Sequence, residues 1–135
     1  MSSKKAHILI ACMPQAYARL FAILAGHELS FAGTLGDAQS ALHGDCFDLI
    51  MVGVHFDESK MFDLLQVVRA DGKYDQTPLV CFRGIELQSE ILPANCEAAC
   101  EAIGTSFFDL TAFPDDNLGN NAVRQIIYGL LAESS

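Results

Sequence analysis

The sequence is short of positive charge: eight lysines and arginines stand against 17 aspartates and glutamates, a formal net charge of −9. Such a surface repels a phosphate backbone and an anionic bilayer alike, which argues against direct nucleic-acid binding and membrane attachment. Long hydrophobic runs are also missing. The longest apolar stretches carry Gly, His or Pro within about 18 residues, the length a spanning helix needs. The opening MSSKKAH has two lysines but no extended apolar region before a cleavage-like site. The expectation is a soluble, unsecreted, cytoplasmic protein. No glycine-rich phosphate loop occurs, since GTLGD lacks the G-x-G-x-x-G spacing. Linkers, repeats and low-complexity segments are absent too. The cysteines (Cys12, Cys46, Cys81, Cys96 and Cys100) are odd in number and mostly in apolar surroundings, which fits free thiols in a reducing compartment.

What is present suits one globular domain over residues 1–135. The chain is 51% hydrophobic and 19% charged, long enough to bury a core without staples. Its centre is DLIMVGVHFDESKMFDLL, Asp48 to Leu65. Leu49, Ile50, Met51, Val52 and Val54, interrupted only by Gly53, form a short run rich in branched residues that predicts a strand covered on both faces. A turn and a third helix from about Ser59 to Ala70 follow, with Phe62, Leu65, Val68 and Arg69 on one face.

Around this stretch the pattern alternates. Ala6 to Ala11 reads as a first strand. Pro14 opens a helix in which Tyr17, Leu20, Phe21 and Leu24 recur at helical spacing, and Gly26 stands near its end. Glu28 to Ala32 reads as an edge strand. Leu35 to Gly44 reads as a helix with Ala38, Ala41 and Leu42 on one face. Leu79 to Phe82 is a fourth strand preceded by Pro78. Pro93 predicts the start of a helix, PANCEAACEAIG, because a mid-helix proline costs about 3 kcal/mol. Thr105 to Leu110 is a fifth strand. Asn117 or Asn120 is a candidate cap for a last helix whose apolar face is Val123, Ile126, Ile127, Leu130 and Leu131. Strand then helix, five times, predicts an α/β three-layer sandwich: one five-stranded parallel sheet with helices on both faces, in the flavodoxin-like order 2-1-3-4-5.

These residues resemble the receiver domains of response regulators, the CheY-like (βα)5 family. The likeness rests on DLIMVGVHFDESKMFDLL, on TPLVCFRG in the place of the fourth strand and on AIGTSFFDL in the place of the Gly-Ala-Asp-x-Tyr run. It spans nearly the whole chain. The resemblance implies a phosphoacceptor aspartate at the end of the third strand, where this chain has Gly53. It implies an acidic, Mg²⁺-holding pair after the first strand, where Ala11 and Cys12 stand, and magnesium needs hard oxygen ligands that neither supplies. The family's Ser or Thr aligns with Arg83 and its Lys-Pro with Thr111-Ala112. Phe108 takes the place of the switch aromatic, or is simply core. The implied molecule is a degenerate pseudo-receiver, without cofactor or metal and not an enzyme. It is expected to act as a stand-alone protein-protein interaction module in bacterial two-component or phosphorelay signalling. Its expected partner is a histidine kinase or other signalling protein. A homodimer through the last strand-helix unit is a further expectation, with Val123, Ile127 and Leu131 as candidate surface, though the same residues also read as core.

Four other groups could carry chemistry. Arg83 cannot lose its charge, so it either reaches solvent or pairs with Asp57 or another loop carboxylate and fixes one state of the loops. Cys12, before a helix amino end, suggests a rival: a small flavodoxin-like phosphocarrier or phosphatase-like enzyme. However, Cys12 to Arg19 is C-x6-R rather than C-x5-R, and MPQAY lacks the Gly and Ser donors that cradle phosphate. His55 and Asp57 with His43 or Cys46 show no closed ligand spacing and read as loop residues. Cys96 and Cys100, four apart on a helix, read as buried packing.

Overall fold

The computed structural model describes residues 5–54, 56–57, 60–84, 98–102 and 104–133. Strands β1 (His7–Ala11), β2 (Glu28–Ala32), β3 (Leu49–Gly53), β4 (Leu79–Arg83) and β5 (Ser106–Asp109) pair in parallel in the order 2-1-3-4-5. Helices α1 (Pro14–Ile23), α2 (Leu35–Gly44), α3 (Met61–Ala70) and α4 (Asn117–Glu133) lie between and after them, and residues 98–102 are helical. The strand order is the one predicted. The helix expected from Pro93 falls largely outside the described residues.

All five residues of β3 are buried, as a central strand requires. The two-residue period of the strands splits the apolar residues into two cores. Leu9, Ile50, Val52, Leu79 and Cys81 point to the face covered by α2 and α3. Ile8, Ile10, Met51, Val80 and Phe82 point to the face covered by α1 and α4. One-residue alternation along a sheet buried on both sides therefore builds a three-layer sandwich.

Local signals set the helix boundaries. The Thr34 hydroxyl accepts from the Asp37 amide at 3.1 Å and starts α2 where the sequence predicted. At α4 neither expected asparagine is the cap. Asp116, one residue earlier, accepts the Gly119 amide at 2.8 Å, and Asn120 turns instead toward Arg19. Two helix faces are rotated from the expectation. In α1 the buried residues are Ala16, Leu20 and Ile23, while Phe21 is 58% exposed. In α3 they are Met61, Leu64, Leu65 and Val68; Phe62 is half-buried and Arg69 is exposed.

Candidate functional site

An open parallel sheet places its crevice beyond the carboxyl ends of the strands. There Cys12, Met13, Ala16, Gly53, Val54, Phe82 and Gly84 line a small pocket, leaving about 10 Å³ for the centre of a water molecule. That is room for roughly one water. The lining contains no carboxylate. Burial pushes the Cys12 thiol up to about 12, opposite to the activation a catalytic thiol needs. Ala11 is fully buried beside it. A Cβ placed on Gly53 would lie 3.0 Å from the Cys12 Cβ and 3.6 Å from the Phe82 ring, so a side chain at the end of β3 would press on Cys12, which would have to give way. Gly84 is held more tightly: a Cβ there would meet the Ala16 Cβ at 2.6 Å. Helix α1 therefore lies close against Gly84 at the mouth of the sheet.

Beside this pocket stands a polar clasp. Arg83 ends β4 and lies in register with Asp109, which ends β5. The Arg83 guanidinium donates to the Asp109 carboxylate at 3.1 Å and to the Thr111 hydroxyl at 2.7 Å. Thr111 in turn donates to the second Asp109 oxygen through its hydroxyl at 2.6 Å and its amide at 3.0 Å. The Arg83 and Asp109 side chains are 17% and 19% exposed, so the pair is mostly shielded from solvent screening. The expected carboxylate partner thus exists, but it is Asp109 rather than Asp57. The Asp57 carboxylate is engaged elsewhere. It accepts the Leu35 amide at 2.8 Å and caps α2, from a left-handed backbone with φ 43°. Lys60 lies 4.0 Å from its other oxygen.

Arg19 holds the other side of the pocket in place. Its guanidinium donates to the carbonyls of Leu110, Phe113 and Pro114 at 3.0, 2.7 and 2.8 Å, and to the Asn120 side chain. It ties α1 to the β5–α4 connection and has no phosphate-binding geometry, so its distance in sequence from Cys12 is incidental. The sequence does not announce this role, because carbonyl acceptors leave no signature in residue type. The signal that existed was a cation within a helix whose other polar residues carry no charge.

The remaining sequence candidates separate. Phe108 is 8% exposed and stacks on Phe82 with ring centroids 5.9 Å apart. Val123 and Ile127, expected as candidate partner surface, are fully buried against the sheet, and Leu131 is half-buried beside that core. This corrects the surface expectation: the period that made the face conspicuous is the period of burial. His55 and Cys96 lie outside the described residues. Among the described residues no group of His, Cys, Asp or Glu is arranged to hold a metal ion, and no helix is long and apolar enough to cross a membrane.

The large apolar side chains that are exposed include Leu118 and Tyr128 on α4, 84% and 39% exposed, and two aromatic rings on α1 and β2. Phe21 on α1 and Phe31 on β2, 58% and 41% exposed, both pack at a tilt against the Tyr17 ring, with centroids 5.9 and 4.7 Å away. The solvent side of α1, with Pro14, Gln15, Ala18, Phe21 and Ala22, carries no charge.

No family model matches the sequence, and no curated protein matches it. Solved structures do. The signal receiver domain of an HD domain-containing protein from Pseudomonas fluorescens superposes with a TM-score of 0.75 at 15% identity, covering 99% of this chain and 92% of that one. The chemotaxis response regulator CheY4 of Vibrio cholerae gives 0.70 at 20%, covering 92% and 99%. A response regulator from Hahella chejuensis gives 0.70 at 18%, covering 96% and 95%. The fold is that of receiver domains. Of the five positions singled out by resemblance, Cys12 and Gly53 line the pocket, Arg83 and Thr111 form the clasp next to it, and Ala11 is buried in the core under α2 and α3.

Proposed function

We propose that this chain is a degenerate receiver: a non-enzymatic, phosphorylation-independent protein-interaction module of two-component or phosphorelay signalling. The observation that carries the reading is the state of the crevice. Where receiver chemistry calls for an aspartate and metal-holding carboxylates, the pocket has a glycine packed against Cys12, and its lining offers magnesium no hard oxygen side chain. Next to it, Arg83, Asp109 and Thr111 bind one another and hold the ends of β4 and β5 in one arrangement without a phosphoryl group. The partner is a histidine kinase or another signalling protein. The uncharged face of α1 with Phe21 and Phe31 supplies exposed apolar area in a protein of strongly negative net charge.

The test combines a small phosphodonor with Mg²⁺ and a panel of purified histidine kinases. No phosphoryl group should be taken up, and binding to the cognate kinase should be unchanged by the donor and weakened by Phe21→Asp. Stoichiometric uptake on an aspartate would overturn the reading. Uptake on Cys12 would instead favour the small phosphocarrier or phosphatase-like enzyme, a reading that the raised Cys12 pKa does not support.

A further inference from the structure

The sheet has an open edge at β2. Among the described residues β2 pairs with β1 on one side, and no strand lies on the other. The Glu28 amide donates to the Ala6 carbonyl at 2.9 Å, and the Ala32 carbonyl accepts the Cys12 amide at 3.2 Å. Glu28, Ser30 and Ala32 therefore turn their backbone groups toward β1, and alternation turns those of Leu29 and Phe31 outward. Natural edges are commonly blunted by lysine, proline or a bulge. The strand ELSFA contains neither residue, and its register with β1 runs without interruption. The side chains divide by the same period. Leu29 and Phe31 lie on the α1 face, where Phe31 is 41% exposed beside Tyr17; Glu28, Ser30 and Ala32 lie on the other.

We propose that β2 pairs with β2 of a second copy of this chain, antiparallel about a two-fold axis at Ser30, so that the two sheets become one. The strand is its own complement in that register. Leu29 lies opposite the partner's Phe31, and Phe31 opposite the partner's Leu29. Both residues face outward, so each pair exchanges both of its N–H···O=C bonds. The same pairs set apolar side chains together on the α1 face. On the opposite face Ser30 meets the partner's Ser30, and Glu28 meets the partner's Ala32. The two Glu28 residues are then four positions apart along the ribbon, about 13 Å. That is beyond the ~8 Å over which charges act at physiological salt. A net charge of −9 on each copy opposes association through most of the surface, whereas this edge brings a single carboxylate and keeps it from its counterpart. Register is fixed by the backbone. A slip of one residue sets outward groups against inward ones, and a slip of two carries the pairing past the ends of β2 onto His27 or Gly33. The inference does not rest on the proposed signalling role. It also differs from dimerisation through the last strand and helix, since β5 is at the opposite edge of the sheet.

The experiment follows the full chain by sedimentation and by residue-resolved hydrogen exchange as its concentration is raised. Mass should climb from one chain to two, and exchange of the Leu29 and Phe31 amides should slow in step. Phe31→Lys places a charge on the edge without touching the β1 pairing, and it should stay a single chain at every concentration. Ser30→Cys, made together with Cys46→Ser to remove the exposed thiol, tests the register. Residues at a non-hydrogen-bonded antiparallel pair have Cα atoms about 4.5 Å apart, within the span of a disulfide. Mild oxidation should therefore give a covalent dimer linked through position 30, a readout that stands even if Phe31→Lys fails to fold. A single-chain mass up to about 1 mM would overturn the proposal. So would unchanged exchange at Leu29 and Phe31, a dimer that Phe31→Lys leaves intact, or the absence of a link through position 30.

Discussion

An aspartate introduced at the end of β3 should damage the protein. In Gly53→Asp the new Cβ would stand 3.0 Å from the Cys12 Cβ, and Cys12 is itself 1% exposed and packed in the core. Overpacking of this kind costs about 1–3 kcal/mol, offset by the roughly 0.5–1 kcal/mol that a strand gains when glycine is replaced. Gly53→Ala should therefore lose up to about 2.5 kcal/mol. The aspartate adds a carboxylate among Cys12, Phe82 and Val54, with no cation in the lining, and an uncompensated buried charge costs about 3–5 kcal/mol. Burial raises the folded pKa of that carboxylate above its unfolded value near 3.9. The extra penalty over alanine is thus absent below about pH 4 and grows as pH rises through the folded pKa. Urea unfolding of both variants between pH 4 and 8, followed by circular dichroism, measures this directly. Because the clash is with a Cβ, Cys12→Ala should not relieve Gly53→Ala, and Cys12→Gly should. A Gly53→Ala variant more stable than the wild type, or an aspartate penalty that does not change with pH, would refute the packed-pocket argument.

Three further outcomes follow from the same geometry. A double-mutant cycle with Arg83→Met and Asp109→Asn should give a coupling energy of about 1–3 kcal/mol, since the pair is short and shielded; a value near zero would mean that the clasp holds nothing. Arg19→Ala should cost about 2–4 kcal/mol in chemical denaturation, because it leaves three carbonyls of the β5–α4 connection without their donor, and Arg19→Lys should recover only part of the loss. The raised Cys12 pKa contributes stability that is fully present below the ordinary value of 9.0 and is lost as pH rises toward about 12; unfolding free energies over that range should fall less steeply in Cys12→Ala.

The sheet was legible because burial on both faces leaves a plain mark. Leu49 to Val54 is apolar at nearly every position, and α2 begins at a threonine with an amide to cap. Apolar period predicted which helices exist but not how each is turned. Phe21 and Val123 carry the same sequence signal, yet one is exposed and the other buried, because α1 packs through Ala16 and Leu20 while α4 packs through Val123, Ile127 and Leu130. The absences at Ala11, Cys12, Gly53, Arg83 and Thr111 could be read one at a time. That Arg83 and Thr111 converge on Asp109 could not. Asp109 occupies a strand position where its charge looked incidental, and the contact depends on the parallel register of β4 against β5, fixed by pairings 26 residues apart in sequence.

The clasp also bears on timing. A phosphoryl switch is set and erased within the lifetime of one molecule, so the molecule remembers a recent event. Three side chains that bind one another as soon as the chain folds have no event to remember. On the proposed reading, the information such a protein conveys is its abundance, and the rate at which its message changes is the rate at which it is synthesised and degraded. A stable internal bond here exchanges speed of response for constancy of output.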